Sequence, residues 1–304
     1  VGVGARLALK AKPVIYVLSS ITKFLDYKKL NEFKGHYISN LIRWFYHNKI
    51  TLGQDVYFEK VLLRISSLNV VFSKNMINQV NELLKIDSNK IKLITPGVDS
   101  NRFVKKENIV VGELESQIKS ADFVFLLLGR LINVKGVDVA IKAFRDLKYS
   151  SAKFVIVGNG PELDYLKTMV GQMSLEEKVI FISKTSVPED YFAISDAFLM
   201  TSSYESFGQT ILEAMSSELP VIGFKSNDRN IRTATSEIIK NSENGFLCGN
   251  SVLELTETMQ KIIDLTHSER QAIGRNNRLT IKNNYTWQQF ANSILDLEII
   301  DSSK

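Results

Sequence analysis

The sequence predicts an α/β protein whose parallel sheets are covered by helices on both faces. Two observations carry this. Short apolar runs of buried-strand character recur along most of the chain, and stretches of helical spacing lie between them. Strands with both faces buried, alternating with helices of about 10–15 residues, are the pattern of a doubly covered parallel sheet.

In order, the expected strands are Val14–Leu18, Asn69–Phe72, Ile91–Thr95, Phe123–Leu128, Lys153–Val157, Val179–Ile182, Ala197–Met200 and Pro220–Phe224. Helical spacing marks Val137–Leu147, Glu162–Met173 and Gln209–Ser216. After Asn250 the strand signal fades, and Val252–Leu265, Ser268–Ile281 and Trp287–Ile300 read as three consecutive helices. A boundary is expected after Pro96-Gly97-Val98-Asp99, with the polar stretch 101–121 as a linker. There is no internal repeat.

At 304 residues and 44% hydrophobic content the chain can bury a large core and form two domains. The single cysteine, Cys248, excludes an internal disulfide, suits a reducing cytoplasm and is expected to be a small buried residue. No apolar run is long enough to span a bilayer, and the first residues carry no secretory signal. Beginning at Val1 suggests a fragment or a processed chain. Residues 1–100 hold 15 basic and 7 acidic residues, against 23 and 26 in the remainder, so the halves differ in sign. The basic half could face an anionic acceptor or the cytoplasmic face of a membrane, or be a solvated lysine-rich face. The stretch Ile38–Ile50, basic and aromatic, fits either contact with a bilayer or cover for its own sheet.

Three segments carry chemistry. In Tyr204-Glu205-Ser206-Phe207-Gly208-Gln209-Thr210-Ile211-Leu212-Glu213, two carboxylates lie eight residues apart, one in a loop after a strand and one a turn into the next helix. Ligands of open parallel sheets bind at the carboxyl ends of the strands. Carboxylates there can accept pairs of sugar hydroxyls, and a glycine at a helix start brings backbone N–H groups close to a phosphate. In Gly129-Arg130-Leu131-Ile132-Asn133-Val134-Lys135-Gly136, a guanidinium fork and an ammonium could neutralise a diphosphate leaving group. Gly158-Asn159-Gly160-Pro161 closes a strand against a helix but lacks the third glycine of a dinucleotide fingerprint. Each has a plainer reading alone: Glu205 as a helix cap with Glu213 solvated, Arg130 and Lys135 as exposed cations, and Gly158–Gly160 as a tight turn.

In order and spacing these motifs resemble the donor lobe of GT-B glycosyltransferases of family 4, the large group of retaining hexosyltransferases. Beside the three segments stand Glu218-Leu219-Pro220-Val221-Ile222, Glu237 with Asn244-Gly245-Phe246-Leu247, Trp287, and Pro96-Gly97-Val98-Asp99 with Phe103. The resemblance covers residues 90–290 well and 1–90 loosely. It implies two Rossmann-like lobes with parallel sheets, the first truncated at its start. The lobes would be an acceptor lobe over 1–110, a donor lobe over 111–284, and a final helix over 285–304 that returns to the first lobe. Arg130 and Lys135 would bind the donor diphosphate, and Glu205 the transferred sugar. Phe207, Gly208, Gln209 and Thr210 would offer backbone N–H groups, and Glu213 would bind the ribose. Gly158, Gly160, Ile182 and Lys184 would lie near the base. The pattern departs from the family at Ser19, where a histidine is common, at Ser183, usually glycine, and at Asp228-Arg229-Asn230, where two glycines are frequent.

The resemblance implies a retaining hexosyltransferase of polysaccharide biosynthesis. It would use a nucleoside-diphosphate sugar, a glycan, lipid-linked or other hydroxyl acceptor, no metal or other cofactor, and no nucleic acid. His36, His47 and His267 lack metal-ligand spacing. Two other readings stay open: a non-catalytic nucleotide-sugar-binding subunit or fragment, and a GT-B-like sugar-nucleotide epimerase.

Overall fold

The computed structural model describes residues 15–17, 57, 60–66, 68–106, 118, 121–149, 151–183, 185–227 and 230–297. The amphipathic stretch 38–50 and Lys184 lie outside the described residues. The chain forms two compact units, Val1–Thr95 with Asn292–Lys304, and Pro96–Ala291.

In the first unit, strands β1 (Ile15–Val17), β2 (Leu68–Val71) and β3 (Ile91–Leu93) pair in parallel in that order. Helix α1 (Lys74–Leu84) connects β2 to β3. It starts at Ser73, whose hydroxyl accepts from the Met76 N–H at 3.1 Å and so satisfies an otherwise orphan donor. Met76 and Val80 turn inward and are fully buried.

The second unit holds a six-stranded parallel sheet. Its strands are β4 (Phe123–Leu128), β5 (Ala152–Val157), β6 (Val179–Ile182), β7 (Ala197–Met200), β8 (Val221–Phe224) and β9 (Gly245–Cys248). Their spatial order is β6-β5-β4-β7-β8-β9. The chain therefore builds outward from β4 in one direction, then returns to lay β7 on the other side of β4. That reversal is the topological switch point of a Rossmann-like sheet, where a crevice opens between diverging connections.

Helices α2 (Val137–Arg145), α3 (Leu163–Gln172), α4 (Pro188–Ala193), α5 (Gln209–Ser216) and α6 (Thr235–Ile238) follow β4 to β8 in turn. After β9 come α7 (Val252–Asp264), α8 (His267–Asn284) and α9 (Trp287–Leu295). A capping box between Thr266 and Glu269 starts α8. The expected final helix, Trp287–Ile300, ends earlier, at Leu295. Its last turn tightens to a bond from Leu297 N–H to the Ile294 carbonyl. Phe290, Ile294 and Leu297 form its half-buried stripe.

The core between sheet and helices is rich in phenylalanine. Phe123, Phe125, Phe154, Phe192 and Phe198 are all fully buried. At about 1.5–3 kcal/mol for each such side chain, this layer supplies stability well away from the loops at the strand ends. Those loops are then free to carry groups that cost stability.

Helix α8 packs on α5 at very close range. A Cβ on Gly274 would collide with the Glu218 carbonyl just beyond α5, and the buried Asn277 amide donates to the Leu219 carbonyl at 2.6 Å. Helix propensity alone favours Gly274→Ala by roughly 1 kcal/mol. The collision should reverse that sign, lowering stability in urea denaturation by about 1–3 kcal/mol. A variant as stable as the native chain or more so would contradict this packing.

Candidate functional site

The loops after β4 and β7 meet at the switch point. The Ser203 N–H donates to the Val134 carbonyl at 2.7 Å, and the Thr201 hydroxyl donates to the Lys135 carbonyl at 2.8 Å. On this frame the Lys135 ammonium and the Glu205 carboxylate form an ion pair. Their side chains are only 22% and 17% exposed, and the Ser202 hydroxyl donates to the same Glu205 oxygen at 3.2 Å. A third loop, after β8, holds Glu205 from behind. The Glu205 backbone N–H donates to the Arg232 carbonyl at 3.1 Å, and the Arg232 N–H donates to the Ser203 carbonyl at 2.8 Å.

Arg130 is exposed beside this pair and makes no ion pair with another described residue. It borders a cavity of about 320 Å³ lined by Leu128, Gly129, Val157, Gly158, Asn159, Thr185 and Pro188. Close backbone packing shapes that cavity. A Cβ on Gly158 or Gly160 would strike the carbonyl of Gly129 or Leu131, while the Leu131 N–H donates to the Asn159 carbonyl at 2.9 Å. The two turns thus stack backbone on backbone, which any side chain at these glycines would prevent. Ile182 contributes its carbonyl, which accepts from the Gly158 N–H at 2.9 Å, but its side chain does not line the cavity. That wall is formed by Thr185 and Pro188, which motif reading does not single out. The available signal is a proline at a helix start followed by Glu189 and Asp190 in the first turn.

Gly208 caps the start of helix α5 with φ +95°, a left-handed conformation that glycine takes at no steric cost. Phe207 is buried, with its ring 6.0 Å from that of Tyr285. The Gln209 side chain donates to the Gly97 carbonyl at 2.9 Å, which leaves only its backbone for the expected role. Thr210 is half-buried on the next position. Glu213 lies half-buried further along α5. Burial pushes its carboxyl up to about 7; Arg102 acts to lower it and Glu189 to raise it further. The two glutamates of the motif therefore differ: Glu205 sits against a lysine, whereas Glu213 is held in a poorly solvated place.

The family described as glycosyl transferases group 1 matches residues 114–280. The chain belongs to that family. It is 27% identical over 222 residues to N-acetyl-alpha-D-glucosaminyl L-malate synthase of Bacillus anthracis, an alignment covering 72% of this chain and 56% of that one. The chain spans about half the length of the curated relatives it matches, as the 56% and 48% shares of two of them illustrate. Sucrose-phosphate synthase from Thermosynechococcus elongatus superposes with a TM-score of 0.74 at 18% identity, covering 96% of this chain and 68% of that one. Anabaena Alr3699/HepE in complex with UDP and glucose does so with a TM-score of 0.71 at 21% identity, covering 94% and 72%. The group 1 family's GT-B fold, with parallel sheets, is thus the fold of this chain. Among the described residues no helix is long and apolar enough to cross a membrane.

The state of Glu213 sets a pH signature. Its carboxyl is raised from the ordinary 4.5 to about 7 by the fold. The protonated form is therefore the one the fold favours, and stability falls as pH rises from about 4.5 to about 7. Glu213→Gln should escape that loss, gaining about 1–3 kcal/mol relative to the native chain between pH 5 and pH 8. Denaturation curves at the two pH values measure it. Parallel pH dependence in both proteins would contradict the burial of this carboxyl.

Proposed function

We propose that the chain carries the donor site of a retaining hexosyltransferase, which moves a hexosyl group from a nucleoside-diphosphate sugar to a hydroxyl acceptor on a glycan or lipid-linked molecule. The observation that carries this is the Lys135–Glu205 pair at the switch point, beside the exposed Arg130 and the cavity it borders. Donor binding would fall to residues 111–284. The relative in complex with UDP and glucose supports a nucleotide-sugar donor. The basic composition of residues 1–100 supports an anionic acceptor or a peripheral membrane contact.

Each residue has a role consistent with its surroundings. The Lys135 ammonium has three donors, so it can keep Glu205 and still reach a phosphate oxygen. The Arg130 guanidinium can take two phosphate oxygens side by side. Together they would stabilise the diphosphate as it leaves, without a bound metal. Glu205 would accept hydroxyls of the hexose while the anomeric carbon gains positive charge, and Glu213 would accept those of the ribose. The N–H groups at Phe207, Gly208, Gln209 and Thr210 would meet the phosphates at the start of α5. With both glutamates engaged in binding, the leaving phosphate is the base nearest the acceptor hydroxyl. A front-face displacement that retains the anomeric configuration follows.

Three readouts test this. Calorimetry should show nucleoside diphosphate binding in the presence of a chelator; binding that needs magnesium or manganese would contradict the roles of Arg130 and Lys135. Arg130→Ala and Lys135→Ala should each lower the transfer rate by about 10²-fold or more. NMR of the product should show the donor's anomeric configuration. An inverted product, or a glycosyl ester trapped on Glu205, would overturn the mechanism.

A further inference from the structure

The segment 97–106 lies along the outside of α4 and α5, tied to both. At one end of α5 the Gly97 carbonyl accepts from Gln209. At the other the Phe103 carbonyl accepts from the Ser216 hydroxyl and the Arg278 guanidinium, both at 2.6 Å. The Phe103 ring packs edge-on against Phe192 of α4, 5.8 Å between centroids. Asp99 turns the backbone, accepting from the Asn101 and Arg102 N–H groups at 3.0 and 3.1 Å, and so aims Arg102 at α4. There the guanidinium donates twice to Glu189, at 3.0 and 2.9 Å, and once to the Ser186 carbonyl at 3.1 Å. Lys106 adds a second pair with Asp190 at 2.7 Å.

We propose that Arg102 is a positioning residue for the donor's ribose subsite: with Glu189 it anchors the wall carrying Thr185 and Pro188 and sets the charge environment of Glu213. This rests on the reading of Glu213 as the ribose ligand. A surface ion pair with one partner 43% exposed contributes little stability in itself. What distinguishes this one is that Arg102 also holds the Ser186 carbonyl, in the turn between the cavity-lining Thr185 and Pro188.

Among the described residues, Arg102 and Glu189 are the charged groups that act on Glu213. The segment presents Arg102, with Asp99 behind it, and α4 presents Glu189, with Asp190 occupied by Lys106. Helix α8 brings Arg278, which is spent on the Phe103 and Ser216 carbonyls. Strands β7 and β8 contain no charged residue. Arg102 favours the carboxylate, which accepts hydroxyls, and Glu189 opposes it.

The two halves of one ion pair therefore pull Glu213 in opposite directions, which makes the experiment discriminating. UDP, GDP and ADP are titrated calorimetrically into the native protein, Arg102→Gln and Glu189→Gln between pH 5.5 and 9. Native affinity should rise with pH and level off above about 7, the value to which Glu213 is raised. Arg102→Gln should move that midpoint up, and Glu189→Gln should move it down. Titration of the nucleotide's terminal phosphate is common to all three proteins and cancels in the differences. Both substitutions break the same pair, so a role confined to holding α4 predicts equal losses with no opposite shifts. That result would overturn the proposal while leaving the donor site intact. If the native protein bound none of the three nucleotides, the donor-site reading itself would fall, and this inference with it.

Discussion

The ion pair between Lys135 and Glu205 spans the place where the six-stranded sheet reverses its order, and the hydrogen-bonded loops around it exist to hold two charges there. Two charges that are mostly removed from water cost free energy unless each finds the other and further hydrogen bonds. Here Ser202 supplies one such bond, and three backbone loops fix the geometry. Removing either partner would leave a desolvated charge, a loss larger than the pair's net contribution. A purely structural bridge between these loops could be made more cheaply with apolar groups. Ions kept at the mouth of a crevice are consistent with the donor site proposed above.

Stability and function are separated in space by the same topology. The phenylalanine layer lies between sheet and helices, while costly features gather at the strand ends. These are a carboxyl raised to about 7 at Glu213, the Lys135–Glu205 pair that is mostly removed from water, and glycine turns that admit no side chain. Helix α5 connects the two regions. Its buried face, with Ile211, Leu212 and Met215, belongs to the core, and its other face carries Glu213. The close approach of α8 at Gly274 holds the end of that helix in place.

Much of this was legible in the sequence, for physical reasons. Phe123–Leu128, Val179–Ile182 and Ala197–Met200 are strands with the expected ends, because uniformly apolar runs between polar residues have few alternatives. Arg130, Lys135 and Glu205 stand out in the sequence because they follow predicted strands, and the structure brings Lys135 and Glu205 into one ion pair. What escaped depends on tertiary context. Strand β9 is a four-residue edge that begins with glycine, and its register comes from β8. Helix α4 has six residues, too few for periodicity, and owes its place to Phe192. The Lys135–Glu205 pair joins residues 70 apart, and Arg102 meets partners 84 and 87 positions away. No local pattern encodes such pairings; the strand order does.

The most direct test of the account is a crystal structure with an intact nucleotide sugar bound. The diphosphate should lie within hydrogen-bond distance of the Arg130 guanidinium and the Lys135 ammonium. Hexose hydroxyls should reach Glu205 and ribose hydroxyls Glu213. A nucleotide bound elsewhere on the sheet, with Lys135 and Glu205 engaged only with each other, would contradict the assignment of the switch-point crevice as the donor site.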